Sequence, residues 1–253
     1  MKIAIVTGAS SGLGAAFVRR LDALGGLDEI WGVARRGERM EALAAELRTP
    51  MRPLALDLTR LESVETLRVL MREEEPEVAV LVNAAGFGKF GTCADLTLQE
   101  TCDMIDLNCR AAAALTAAVL PYMGRGSRVL EICSSAAFQP LPGFNVYAAT
   151  KAFLLRYSRA LRWEAAPRGI RVTVCPGWIR TDFMDVARDT KNGRTVRSFP
   201  FAQRPETVAR RALRNSRLLA VTTCGLPALV QRVASKFLPH CLIMACWEGL
   251  RRA

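Results

Sequence analysis

Residues 2–14 read Lys2-Ile-Ala-Ile-Val-Thr-Gly8-Ala-Ser10-Ser11-Gly12-Leu13-Gly14. Ile3–Val6 is an uninterrupted apolar run. It is too short for the core of a secretory signal and suits a strand buried on both faces. Thr7-Gly8 breaks it, and an amphipathic pattern, Leu13–Leu24, follows. A glycine-rich turn with TGxxxGxG spacing therefore joins a buried strand to a helix. Such a turn lets an anion approach the backbone, and the free N–H groups of the helix N-terminus face it, as a dinucleotide pyrophosphate requires. Gly8, Ser10, Ser11, Gly12, Leu13 and Gly14 become candidate binding residues. The spacing is not the commoner GxGxxG, and a glycine-rich turn without a ligand is the bland alternative.

The same alternation continues along the chain. Glu29–Val33, Pro53–Leu56, Val78–Val82, Arg128–Cys133 and Arg171–Cys175 read as further strands. Arg39–Leu47, Ser63–Glu74, Gln99–Met123 and Val146–Ala166 read as helices. Apolar strands alternating with helices predict an α/β fold, a doubly wound parallel sheet with helices on both faces. The 253 residues suit one domain, and 51% apolar with 23% charged residues excludes a disordered chain. Asp182–Pro205 mixes charges with Gly and Pro and reads as a loop beside a substrate. No run reaches the length of a spanning helix, and the expectation is a cytoplasmic protein. Eight scattered cysteines, no CxxC pair and a single histidine give no metal site of the usual spacing.

A second motif is Tyr147-Ala-Ala-Thr-Lys151, which sets a phenol and an ammonium on one helix face. With 3 tyrosines and 5 lysines such a pair arises by chance in about 6% of chains, so alone it is weak. Other short motifs stand between and beyond: Asp57-Leu58, Asn83-Ala84-Ala-Gly86, Leu107-Asn108-Cys109, Cys133-Ser134-Ser135 and Pro176-Gly177-Trp178-Ile179-Arg180-Thr181-Asp182. In this set and order, from Lys2 to about Met184, the chain resembles the short-chain dehydrogenase/reductase family, in its single-domain branch of about this length. The resemblance implies a Rossmann-like fold and hydride transfer between a nicotinamide and a carbonyl or alcohol. It implies Asn108, Ser134, Tyr147 and Lys151 as the catalytic group. Ser134 stands thirteen residues before Tyr147, the family's usual spacing, with adjacent Ser135 the lesser candidate. Ala84 departs from the second asparagine of many members.

By the same resemblance Tyr147 is the proton donor, Lys151 also meets the nicotinamide ribose, Ser134 bonds the carbonyl oxygen, and Asn108 holds a water behind Lys151. A free phenol has a pKa of about 10. The cation of Lys151 and the positive nicotinamide of an oxidised cofactor favour phenolate, and a value of about 7 requires about 4 kcal/mol of stabilisation. Asp57 and Leu58 match adenine contacts, Asn83, Ala84 and Gly86 match the turn over the cofactor, and Pro176, Gly177, Ile179 and Thr181 match positions near the nicotinamide. The second strand ends in Arg35-Arg36, where an NAD-preferring member carries an acid. Guanidinium groups suit a 2′-phosphate, so NADP is expected over NAD, unless both arginines are merely solvated.

Phe87, Phe90, Phe138, Phe144, Trp178, Phe183 and Met184 lie just past strand ends and suggest a bulky hydrophobic ketone or alcohol, such as a steroid or a long 3-oxoacyl compound, with ordinary core packing as the alternative for each and Arg180 or Arg188 as the candidate clamp for a carboxylate. The other reading is a catalytically silent dinucleotide sensor, though such relatives lose the tyrosine or lysine retained here. Ala-rich helices 99–123 and 146–166, with the resemblance, predict a homodimer or homotetramer. The net charge of +11 is unevenly placed: residues 1–187 carry 22 Lys/Arg against 21 Asp/Glu, residues 188–253 carry 13 against 3. No nucleic-acid module accompanies this charge, so nucleic acid is not expected. The basic, apolar segment 224–253, interrupted by Pro239, has three readings: packing on the body or a subunit, a membrane surface, or a wall of the substrate pocket whose cations meet an acidic carrier or substrate.

Overall fold

The computed structural model describes residues 1–174, 179–181, 183–189, 202–223 and 225–252. Six strands form one sheet: β1 Lys2–Thr7, β2 Glu29–Ala34, β3 Met51–Ala55, β4 Glu77–Asn83, β5 Arg128–Glu131 and β6 Arg171–Val174. Their order is β3-β2-β1-β4-β5-β6, and every pairing is parallel. The chain winds outward from β1 to β3, then returns to place β4 on the other side of β1. This reversal opens a crevice beyond the carboxyl ends of β1 and β4, where ligands of such sheets bind.

Alternation along β1 builds the two cores. Ala4 and Val6 face α1 (Gly12–Leu24) and α8 (Pro205–Asn215), in a cluster with Phe17, Val18, Val208 and Leu213. Ile3 and Ile5 face the other layer, with Leu67 of α3 (Leu61–Glu74), Leu115 of α5 (Ala112–Val119) and Leu161 of α6 (Asn145–Ala165). Successive side chains of a strand point to opposite faces, so Val, Ile and Leu fill both.

One stretch departs from the sequence expectations, and two others can be set beside them. Residues 99–123 do not form one regular helix. A capping box between Thr97 and Glu100 starts α4 (Leu98–Ile105), a π turn runs over Asp106–Ala111, and α5 follows. The π turn falls where Asn108 is drawn onto the backbone of Phe87, and such wide turns recur at functional sites. The expected loop after residue 182 contains a short helix, α7 (Phe183–Arg188), and α8 starts at Pro205, a residue suited to a first helical turn. The interruption expected at Pro239 is present, between α9 (Leu226–Phe237) and α10 (His240–Arg252). The remaining helix is α2 (Gly37–Ala44).

Between β4 and β5 lies a buried polar group. Asn83 Nδ2 donates to Glu131 Oε1 and to Thr116 Oγ1, both at 2.8 Å, while Glu131 Oε2 and Asn83 Oδ1 have no partner. Burial pushes the Glu131 carboxyl up to about 7, against the opposing hydrogen bonds from Asn83 and Thr116. A proton on Oε2 is therefore favoured in the folded chain. Stability is full below the ordinary glutamate range and is lost as pH rises through about 7. Glu131→Gln, which keeps the acceptor and supplies an N–H permanently, is expected to abolish that loss. Urea unfolding at pH 5 and pH 8 should show the variant more stable at pH 8, by about 3 kcal/mol.

Candidate active site

Loops at the carboxyl ends of the strands enclose one cavity of about 940 Å³. Its first end is the turn after β1. A side chain at Gly14 would overlap the carbonyl oxygen of Gly8, so only glycine lets the helix start so close to the strand. Arg36, following β2, reaches across this turn: its guanidinium donates to Ser11 Oγ at 2.7 Å and to Ser10 Oγ at 3.2 Å. Arg35 and Arg36 are both exposed and line the cavity. Asp57, after β3, accepts from the backbone and hydroxyl of Thr59. Burial raises its pKa, but these bonds and the charge of Arg35 outweigh that and hold it below the usual range. Leu58, Ala84, Gly86, Ile179 and Thr181 also line the cavity.

The second end is built by β5 and α6. Ser134 caps a short 3-10 turn, Ser135–Phe138, accepting the N–H of Ala136. Tyr147 and Lys151 lie one helical turn apart on α6, both buried. The Tyr147 ring leans on Phe144 (4.4 Å between centroids) and Phe183 (5.2 Å). Lys151 Nζ lies 5.7 Å from the Tyr147 ring centroid and donates to the Ile132 carbonyl at 2.9 Å. Asn108 is wholly buried behind them. It accepts from the Phe87 N–H and donates to the Phe87 carbonyl and to Thr150 Oγ1, whose hydroxyl donates to the Tyr147 carbonyl. A side chain at Gly86 would crowd Asn108 Oδ1 and Lys151 Nζ, so the lysine passes only because that residue is glycine.

Burial works against the phenolate form that the Lys151 cation and an oxidised nicotinamide are expected to favour. Burial pushes the Tyr147 phenol well above its ordinary value, and a hydrogen bond to the Ser134 side chain only partly offsets this. Burial also lowers Lys151 from the ordinary lysine range, despite nearby Cys133, Cys109 and Glu131. Tyr147 is thus held as a neutral phenol, the form able to donate a proton.

The structure brings together Ser134, Tyr147, Lys151, the glycine-rich turn, Arg35, Arg36, Asp57 and Leu58. The Asn83 side chain turns inward to Glu131 and Thr116 and is not part of the lining. Ser135 lines the cavity beside Ser134 but is buried. Phe87, Phe90, Phe144, Phe183 and Met184 form the far wall, with Phe90 stacked on Phe144 at 4.2 Å, whereas Phe138 is not part of the lining. Pro176, Gly177, Trp178 and Asp182 lie outside the described residues. The motifs did not single out Leu141, Lys89, Gln231 or Trp247 as lining. Trp247 of α10 packs beside this wall, and its Nε1 donates to the Pro142 carbonyl at 2.9 Å. The reading of segment 224–253 as a pocket wall is the sequence signal that pointed toward it. Lys89 is tied to Asp189 at 2.8 Å and Glu100 at 3.3 Å, which engages its charge within the protein.

Residues 2–192 match the family model described as short chain dehydrogenase. Serine 3-dehydrogenase of Agrobacterium fabrum (strain C58) is 36% identical over 186 residues, 71% of this chain and 72% of that protein. Among solved structures, a short-chain dehydrogenase from Sphingobium yanoikuyae in complex with NADPH is 29% identical, with a TM-score of 0.79 over 97% of this chain and 95% of that one. The bulky-bulky ketone specific alcohol dehydrogenase from Comamonas testosteroni is 25% identical, with a TM-score of 0.74 over 94% and 95%. The parallel sheet in this strand order, the glycine-rich turn after β1 and the Tyr147–Lys151 pair on α6 agree with that match: the chain belongs to the short-chain dehydrogenase family of oxidoreductases.

Proposed function

We propose that the chain is an NADP(H)-dependent oxidoreductase interconverting a bulky hydrophobic ketone and its secondary alcohol. The observation that carries this reading is the single cavity: a glycine-rich turn with two arginines at one end, and Ser134, Tyr147 and Lys151 against a phenylalanine wall at the other. The turn of residues 8–14 fits the pyrophosphate, because its glycines leave the backbone open and α1 starts there. Arg35 and Arg36 fit a 2′-phosphate, and Asp57 with Leu58 fits the adenine. The nicotinamide, when bound, supplies or accepts the hydride at the carbonyl carbon. Tyr147 gives its phenolic proton to the carbonyl oxygen in the reducing direction. The Ser134 hydroxyl hydrogen-bonds that oxygen as charge develops. Lys151 holds the ribose and keeps positive charge near the phenol, and Asn108 is a positioning residue that fixes the turn carrying Phe87.

The phenylalanine wall favours an apolar substrate, while Arg180 and Arg188, which also line the cavity, are the cations a carboxylate would meet. The test is a carbonyl screen following NADPH absorbance, with steroids, acyl thioesters, aldehydes and bulky aryl ketones side by side. Turnover confined to small charged aldehydes would refute the substrate class, and no turnover with any of them would return the sensor reading. A homodimer or homotetramer is proposed on α4 and α6, whose Ile105, Phe153 and Trp163 are exposed apolar side chains, Trp163 at 84%. Sedimentation at micromolar concentration is expected to give a multiple of the 27.7 kDa chain.

A further inference from the structure

The turn Leu141–Phe144 leads into α6 and is held from two sides. Its first hold comes from the loop after β4, where the Gly91 N–H donates to the Gly143 carbonyl at 2.8 Å. Within the turn, the Phe144 N–H donates to the Leu141 carbonyl at 3.0 Å, and the Phe144 carbonyl in turn accepts the N–H of Ala148 at 3.0 Å, one turn into α6. The Phe144 ring lies against those of Phe90 and Tyr147, so the turn sets the wall beside the reacting phenol. Its second hold comes from α10. Trp247 Nε1 donates to the Pro142 carbonyl, and Arg251, four residues on and therefore on the same helical face, lays its guanidinium over Gly143. A Cβ on Gly143 would fall on Arg251 Nη1, and the backbone there has a φ of +68°, so both the space and the conformation require glycine.

Arg251 is an unexpected side chain in this place. A guanidinium ordinarily keeps its head in water while its stem covers apolar surface. Here the side chain is only 5% exposed, and its Nη2 pairs with Glu248 at 3.0 Å. Among the described residues, Nε and Nη1 have no hydrogen-bond partner. Unmet buried donors cost free energy that an apolar side chain of the same length would avoid, so stabilisation alone does not account for a cation here. What the flat, forked group does is fill the surface that Gly143 leaves open and seat one face of α10 on the turn. Trp247, one helical turn back, is the residue this contact orients. It packs with Phe90, Leu141, Phe144 and Tyr147 and lines the cavity.

We infer that Arg251 is a positioning residue for substrate choice: seated on Gly143, it fixes α10 so that Trp247 closes the far end of the cavity and limits the size of ketone admitted beside Tyr147. The inference rests on the reading of the chain as a ketone reductase and adds the residues that set its size limit. It leaves the cofactor end, with Arg35, Arg36 and the glycine-rich turn, untouched.

The test uses the whole chain with Trp247→Ala and with Arg251→Met, which keeps the length of the side chain and removes the fork. kcat/KM with NADPH is measured for acetophenone and for the larger benzophenone, and amide hydrogen exchange is followed at Gly91 and Phe144. Trp247→Ala should shift the ratio toward benzophenone by at least about tenfold. Arg251→Met should shift it the same way by at least about threefold, mainly through KM, and should speed exchange at both amides while NADPH fluorescence titrations stay unchanged. An unchanged ratio in Arg251→Met beside a shifted one in Trp247→Ala overturns the positioning role, and an unchanged ratio in both removes α10 from substrate choice. If the wild type reduces neither ketone, the functional reading fails by itself. Exchange then decides the clamp: faster exchange in Arg251→Met supports it, and wild-type protection overturns it.

Discussion

Tyr147→Phe is expected to lower reductive kcat by at least about a thousandfold while NADPH binding changes little. The ring remains, so its contacts with Phe144 and Phe183 survive. What is lost is the hydroxyl beside Ser134, the group proposed to transfer its proton to the carbonyl oxygen. The measurement is a stopped-flow single turnover together with a fluorescence titration of NADPH. Because burial holds the phenol above its ordinary range, the wild-type reduction rate should show no loss from Tyr147 ionisation across the neutral range. Substantial turnover in the phenylalanine variant would move the acid to another group. Equal loss of NADPH binding would mean that the substitution had disturbed the fold around Lys151 instead.

The second large effect concerns the cofactor. Replacing both Arg35 and Arg36 by Asp is expected to shift the ratio of kcat/KM for NADPH over NADH by about a thousandfold toward NADH. Two cationic partners of a 2′-phosphate become two repelling carboxylates, which also suit free ribose hydroxyls. The structure divides the roles. Arg36 is already fixed on Ser10 and Ser11, whereas Arg35 acts on Asp57 through charge. The single variants should therefore differ: Arg36→Asp also disturbs the glycine-rich turn and raises KM for both cofactors, and Arg35→Asp changes mainly the ratio. Steady-state kinetics with both cofactors measure this, and an unchanged ratio in the double variant would remove the arginines from cofactor choice.

The sheet was legible because each strand carries its own signal: Ile3–Val6 and Val78–Val82 are apolar on both faces and are followed by turns and amphipathic helices. The glycine-rich turn and the pair Tyr147–Lys151 were legible because their chemistry depends on short-range spacing, which a linear sequence displays directly. The direction of the Asn83 side chain was not legible, because its neighbours Ala84 and Gly86 line the cavity while it depends on a buried partner, Glu131, 48 residues away. The clamp from Arg36 to Ser10 and Ser11 joins residues about 25 positions apart and leaves no periodic trace. The π turn at Asn108 was hidden inside a run with good helical periodicity. The tyrosine's protonation depends on how completely aromatic rings close over it, and burial of that kind is a property of the packed chain.

The contact between Trp247 and Pro142 has a consequence for how the two ends of the cavity can vary. The glycine-rich turn and both arginines follow β1 and β2, whereas the wall at the far end is completed by Trp247 of α10. A substitution at that position therefore changes what the far end encloses and leaves the contacts of Arg36 with Ser10 and Ser11 in place. By the same division, exchange of α10 in a descendant gene would alter what is enclosed and leave the turn after β1 intact.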